Sequence, residues 1–556
     1  MRLVGAFLLH AVLASFIFAQ ANPSDSSQPT ATIRSNPRLV LLNVVVTNSK
    51  GEPVHGLNQH DFSVFEDGKA QSIRSFEEHS RLPSEPIKPT PPLDLGPNVY
   101  TNFVSVPKDN VTNILLLDVL NMSGGELVHA KAELLKTLQK LPAGQQFALF
   151  LMGTQLYMIQ SLTSDKAAMY AAASQIAGKA HPAYVDARTF STQIGELRET
   201  PLVNNPAAFQ ALVTSLGTEQ DIKFEARSQY TFDGLSQLAR AMAVIPGRKN
   251  LIWITSGFPF DPTRYDGSNL TRLSAQLAAS QIAVYPIDAR GVNVAQPDGS
   301  TRDSEIFSGF SDQMGTFLAG LSEEVRSTYQ TMFTIAAETG GRAYINQNDF
   351  LTAISRITEG GSNYYVLAYR PTNANWDGKF RKIQVKTPRR DFKLLYRTGY
   401  FAVEDPLRLT RKEDRDHALM VAMQPSQPPA TTLIVKTRVI PPDAPDKPVQ
   451  LDYLVDVADL FTIEDPSAKG KKTIEVIFVA NAVDPRGRGD SHSWTVKASL
   501  SDSDLKAMLK TGLQIHQDVV FKPGSYQLRL GVLDRNSGKV GTLDVPVTIA
   551  EAAPAK

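Results

Sequence analysis

The hydrophobic pattern of this chain changes its period several times. Residues 113–123 read NILLLDVLNMS, an apolar run that ends at a carboxylate, Asp118. An uncharged run of this kind, here 114–117, predicts a strand buried on both faces. Similar runs occupy 147–152, 251–255, 282–288 and 342–345. Helical spacing marks 130–141, 166–177, 232–243, 270–280, 322–339 and 350–357. Strands alternating with helices imply a doubly wound, mainly parallel α/β domain over 112–358. Ligand sites in such sheets gather where strands end, which is where Asp118 stands.

On either side the period is two. Residues 39–81 hold three β-rich runs divided by the turn segments SKGEP and EDGK, and 359–403 hold three more. The two groups are expected to pair into a β module that brackets the α/β domain. Seven prolines fall between positions 82 and 107, so 82–111 reads as a linker. The stretch 404–430, charged and then Pro-rich, reads as a second one. From 431 to 550 seven short strands follow, with strict alternation at Tyr526, Leu528, Leu530 and Val532. That spacing predicts an immunoglobulin-like or fibronectin-like β-sandwich. A long insertion, 179–230, interrupts the α/β pattern and carries a helical stretch at 206–216.

Composition narrows the class. A chain of 556 residues with 42% hydrophobic content is long enough for several cores, so two or three domains are expected. Fifty-seven basic against 56 acidic side chains leave a net charge of +1, which gives no field for nucleic acid. The N-terminus joins one Arg, an apolar stretch and the pair Ala19 and Ala21, so 1–21 reads as a signal peptide and 22–38 as a flexible leader. No later segment has a spanning length without charge, so no stable membrane span is expected. Cysteine is absent, which excludes disulfides and thiolate chemistry and suits a bacterial export compartment, periplasmic or extracellular.

The order of Asp118, the helix at 130–141, the strand at 147–152, SLTSD, GRKNLIWITSGF and QIAVYPIDARGV resembles the von Willebrand factor type A domain. It is most similar to the bacterial secreted branch described as VWFA-related, over roughly 39–401. Such domains often hold a divalent cation in a metal-ion-dependent adhesion site. The resemblance implies an Asp-x-Ser-x-Ser loop, a Thr from a second loop and an Asp ending a later strand. A hard cation needs oxygen ligands throughout. Asp118 takes the first position, but Leu120 and Met122 stand where the serines belong. Asn121 and Ser123 lie one residue out of phase, and Ser256 replaces the later Asp. Thr231 takes the threonine position, though it reads better as the N-cap of a helix starting there. The candidate metal set, Asp118, Asn121, Ser123, Thr231 and Ser256, is therefore expected to be degenerate. No tightly held cofactor is expected, and weak Mg²⁺ or Ca²⁺ binding stays open. Asp118 is then expected to accept hydrogen bonds from the loop amides of 120–123 or from Thr231.

Other motifs add little. Arg488, Gly489 and Asp490 spell RGD in a turn-like segment, but three residues recur by chance. The nine histidines form no H-x-x-x-H pair, and neither a G-x-S-x-G nor a phosphate-cradling loop is present. Asp118 could meet Asp261 or Asp288 only through tertiary placement. No catalytic residue is identified. The expectation is a secreted, non-enzymatic interaction or adhesion protein with a protein or cell-surface ligand. The alternatives are a hydrolase of wall or matrix polymers, with the insertion as a lid, and a structural envelope component.

Overall fold

A computed structural model describes residues 39–80, 95–103, 111–141, 145–177, 205–257, 268–291, 323–346, 349–425, 427–442, 444, 447–484 and 489–549. The stretches read as signal peptide and leader (1–38), Asp261, Arg488 and the first part of the expected insertion (179–204) lie outside them. Four short strands come first: β1 (Val40–Thr47), β2 (Ser63–Glu66), β3 (Lys69–Gln71) and β4 (Ile73–His79). A fifth, β5 (Val99–Thr101), lies in the proline-rich stretch. The α/β domain then builds one sheet from β6 (Thr112–Asp118), β7 (Phe147–Met152), β8 (Leu156–Thr163), β9 (Lys249–Thr255) and β10 (Ile282–Asp288). Their order is β10-β9-β6-β7-β8, parallel except for the β7–β8 hairpin at one edge. This is a mixed, mainly parallel sheet.

Strand alternation explains why the run at β6 is apolar throughout. Leu115 and Leu117 enter one core, under helices Gly124–Lys140 and Phe350–Ser362. Ile114 and Leu116 enter the other, under helices Pro206–Met242 and Ser268–Ala279. With no face left for water, no polar position is tolerated until the strand ends.

Several expected elements differ. The helical stretches at 206–216 and 232–243 are one helix, Pro206–Met242, capped by Asn205, because no proline or glycine pair interrupts the segment between them. The strand expected at 342–345 is reduced to one parallel bridge, Ile287 with Tyr344. A Cβ at Gly341 would sit 1.9 Å from the Val284 carbonyl, so this segment runs too close to β10 for side chains on both faces.

The β-rich flanks pair with each other. β11 (Tyr364–Tyr369) lies between β1 and β4, β12 (Phe380–Lys386) pairs with β2, β13 (Lys393–Leu395) with β1, and β14 (Gly399–Phe401) with β12. Inside this module Glu66 accepts from Tyr369 at 2.7 Å and Tyr400 at 3.0 Å, and faces Arg381 at 3.4 Å. Among the described residues, a buried carboxylate from the first segment is thus satisfied by side chains of the second.

Neither stretch read as a linker is only that. β5 pairs with β15 (Val435–Ile440), and the Asn102 amide donates to the carbonyls of Ala430 and Leu433. Helix Lys412–Ala422 packs on strands of the C-terminal unit, where Ala418 and Ala422 supply a small-residue face. In both cases local charge or proline content is overridden by packing. The C-terminal unit adds β16 (Val449–Val455), β17 (Ile463–Glu464), β18 (Lys472–Val483), β19 (Gly489–Leu500), β20 (Leu513–Val519), β21 (Gly524–Asp534) and β22 (Val540–Ile549). One sheet is β20-β16-β15-β5, the other contains β17, β18, β19, β21 and β22, and the two share one core. Gly489 and Asp490 open β19 and are not in a turn.

Candidate functional site

The site grows from the end of β6. Asp118 is completely buried and caps the short turn Val119–Asn121, with Oδ1 accepting from Asn121 N at 3.1 Å. Its other oxygen, Oδ2, accepts from Asn121 Nδ2 at 2.8 Å, Trp253 Nε1 at 3.0 Å and Thr255 Oγ1 at 2.8 Å. Parallel pairing carries this out: Leu117 lies opposite Ile254, so the next residues, Asp118 and Thr255, stand side by side. Burial raises the carboxyl pKa above the usual carboxylate value, and the hydrogen bonds from Asn121, Thr255 and Trp253 oppose that rise.

The donors are themselves fixed. Asn121 Nδ2 also donates to Thr231 Oγ1 at 2.9 Å, so both amide hydrogens are used. Thr231 in turn donates to Arg227 O at 2.9 Å. It lies deep inside helix Pro206–Met242, so the N-cap reading fails: the helix starts well upstream, and the threonine hydroxyl bonds to the preceding turn. Thr255 Oγ1 accepts from Gly257 N at 2.8 Å. Gly257 needs its left-handed backbone, and a Cβ there would meet Thr328 Cγ2 at 2.3 Å.

The structure thus brings Asp118, Asn121 and Thr231 together. It uses Ser123 differently, as the N-cap of helix Gly124–Lys140 in a capping box with Glu126. Leu120 and Met122 have no exposed surface and join opposite cores. Asn121 Oδ1 and Ser256 Oγ are buried with no hydrogen-bond partner. Asp118 Oδ2 is taken by three donors and Oδ1 by one, so among the five expected ligands only these two neutral oxygens are buried without a donor. Neutral oxygens alone make a weak Mg²⁺ site. No group of three His, Asp or Glu residues suited to a metal occurs among the described residues. Trp253 and Thr255 escaped sequence reasoning. The available signal was parity: both lie on one face of β9, two residues apart, beside the end of β6.

A second acid ends β10. Asp288, also fully buried, accepts from Arg290 Nε at 2.8 Å and from the Tyr329 hydroxyl at 2.7 Å. The Arg290 guanidinium lies 4.5 Å from the Tyr329 ring centre. Burial works against the Arg290 charge, but Asp288, together with Tyr329 and Glu126, more than offsets it and raises the pKa. Burial and then the Asp288 charge push the Tyr329 phenol upward. Asp118 and Asp288 form no pair of their own: each is held by a separate set of donors.

No family model matches this chain, and no curated protein matches it. Solved structures do. An aerotolerance-related membrane protein from Bacteroides fragilis is 14% identical, over 45% of this chain and 98% of its own, with a TM-score of 0.26. BatB from Bacteroides thetaiotaomicron is 14% identical, over 45% and 97%, with a TM-score of 0.23. A von Willebrand factor type A protein from Catenulispora acidiphila is 10% identical, over 80% and 67%, with a TM-score of 0.20. At such scores these likenesses carry no functional weight, and the site must be read from its own geometry. No helix among the described residues is long and apolar enough to cross a membrane.

Proposed function

We propose that this is a secreted, non-enzymatic interaction or adhesion protein that engages a protein or cell-surface ligand through the strand-end face of its type A-like domain, without a tightly held cation. The observation behind this reading is the closure of Asp118. Its carboxylate is the acceptor for a tryptophan, a threonine and an asparagine donor, all buried. A cation drawn to Oδ2 would displace those donors, and each buried group left unpaired costs about 1–3 kcal/mol. Leu120 and Met122, committed to the two cores, cannot turn to help. On this reading the loop after β6 needs no metal to keep its shape, and recognition falls to the rim around Ser123, Gly124 and Gly125. Export rests on the signal-peptide pattern at 1–21. The C-terminal two-sheet unit is read as an immunoglobulin-like accessory to the same task.

Calorimetric titration with Mg²⁺, Mn²⁺ and Ca²⁺ should give no sub-millimolar binding. Sub-millimolar binding that Asp118→Asn abolishes would overturn the closed-site reading. The partner is to be found by cross-linking on intact cells and rebound in purified form, with and without chelator. Gly125→Arg is the blocking variant: Gly125 is exposed, and a Cβ there meets nothing within 4 Å. It should weaken capture about tenfold or more, as loss of a central contact does. Unchanged capture would remove the strand-end face from consideration.

A further inference from the structure

We infer that the junction between the β module and the α/β domain is a binding pocket for a small anionic ligand bearing a phosphate or carboxylate group. It lies apart from the Asp118 face and extends the reading above. A cavity of about 190 Å³ opens between β1 with its following turn and β13 on one side, and β10, Tyr344 and helix Phe350–Ser362 on the other. Among the described residues its wall carries Lys50, Arg342, Arg356 and Lys393 against a single carboxylate, Glu359. In a chain of net charge +1, that concentration is local. A bound anion would meet that local excess of positive side chains.

The Tyr344 phenol is pushed up to about 12 by burial, against the opposing charges of Arg342 and Arg356, and Arg342 hydrogen-bonds to it. Arg342, Arg356 and Tyr344 all line the same cavity. Arg342, Arg356 and Lys393 each have further interactions of their own. Guanidinium forks match carboxylate and phosphate oxygens in pairs, and lysines add point charge. The volume is below the roughly 300–1,000 Å³ of sites for drug-sized ligands, so the occupant is a single headgroup or a small polyanion. Because the wall is divided between two units of the fold, an occupant would clamp β1 and β13 to the helix and raise the stability of both.

The test is calorimetry and thermal denaturation of the full-length mature protein with inorganic phosphate and with citrate, at constant ionic strength. Wild type should bind at least one probe saturably below about 10 mM. Phosphate alone would identify a phosphate-bearing ligand, citrate alone a carboxylate-bearing one, and binding of both a site that reads charge. The double variant Arg356→Gln with Lys393→Gln should bind about tenfold or more weakly. Arg356→Lys with Lys393→Arg keeps the charges and should retain most of the affinity. No saturable binding of either probe, or binding unchanged in the neutral double variant, would overturn the proposal.

Discussion

Asp118 and Asp288 end the two strands that flank β9, and both are fully buried, yet the fold treats them differently. Asp288 has its own cation, Arg290, and a tyrosine. Asp118 has only neutral donors, and burial raises its pKa. A strand-end acid in this sheet can therefore be a buried structural group and not a ligand-binding one. One is closed as an ion pair and the other as a hydrogen-bond hub of neutral donors.

Asp118→Ala should break the comparison most severely. It leaves a tryptophan, a threonine and an asparagine donor buried without an acceptor, and should cost about 3–5 kcal/mol in denaturant unfolding. A loss below about 1 kcal/mol would mean that the donors find other acceptors and that Asp118 is no hub. Arg290→Met should cost less, about 1–3 kcal/mol, because its side chain is 21% exposed and water screens part of the pair. If Arg290→Met were neutral in the same assay, Asp288 would not depend on its cation.

Asp118→Asn should have the smallest effect, about 1–2 kcal/mol, since one amide oxygen can replace Oδ2 while the amide nitrogen meets one donor. Its use lies in the pH dependence. The folded pKa of Asp118 is above its unfolded value of 3.8, so the native state holds the proton to higher pH than the unfolded chain. That contribution is present below the unfolded pKa and is lost as pH rises through the folded one. Wild type should therefore lose stability relative to Asp118→Asn as pH rises from about 4 to neutrality, measured by paired unfolding curves. The opposite trend would show that the four hydrogen bonds outweigh desolvation.

Much of the α/β domain was legible because each signal was local. The apolar run 114–117 can be read without knowing its neighbours, since only a doubly covered strand tolerates it. Leu120 and Met122 at ligand positions were equally plain, because neither side chain can coordinate Mg²⁺. The donors on Asp118 were not legible in the same way. Trp253 and Thr255 lie 135 and 137 residues away, and only the register of β6 on β9 brings them to the carboxylate. Thr231 was misread for a related reason: a threonine before an apolar period looks like a cap, whether or not a helix already runs through it.

By itself the sequence determined which segments are apolar, where the acid stands at the end of the first α/β strand, and which side chains there lack oxygen. These are properties of single residues and short periods. Tertiary structure alone decided that β5 joins the distant sandwich, that cations from two units line one cavity, and that Asp118 is enclosed by donors of β9. The physical reason is that burial and hydrogen bonding depend on which surfaces meet, and those meetings join residues more than a hundred positions apart.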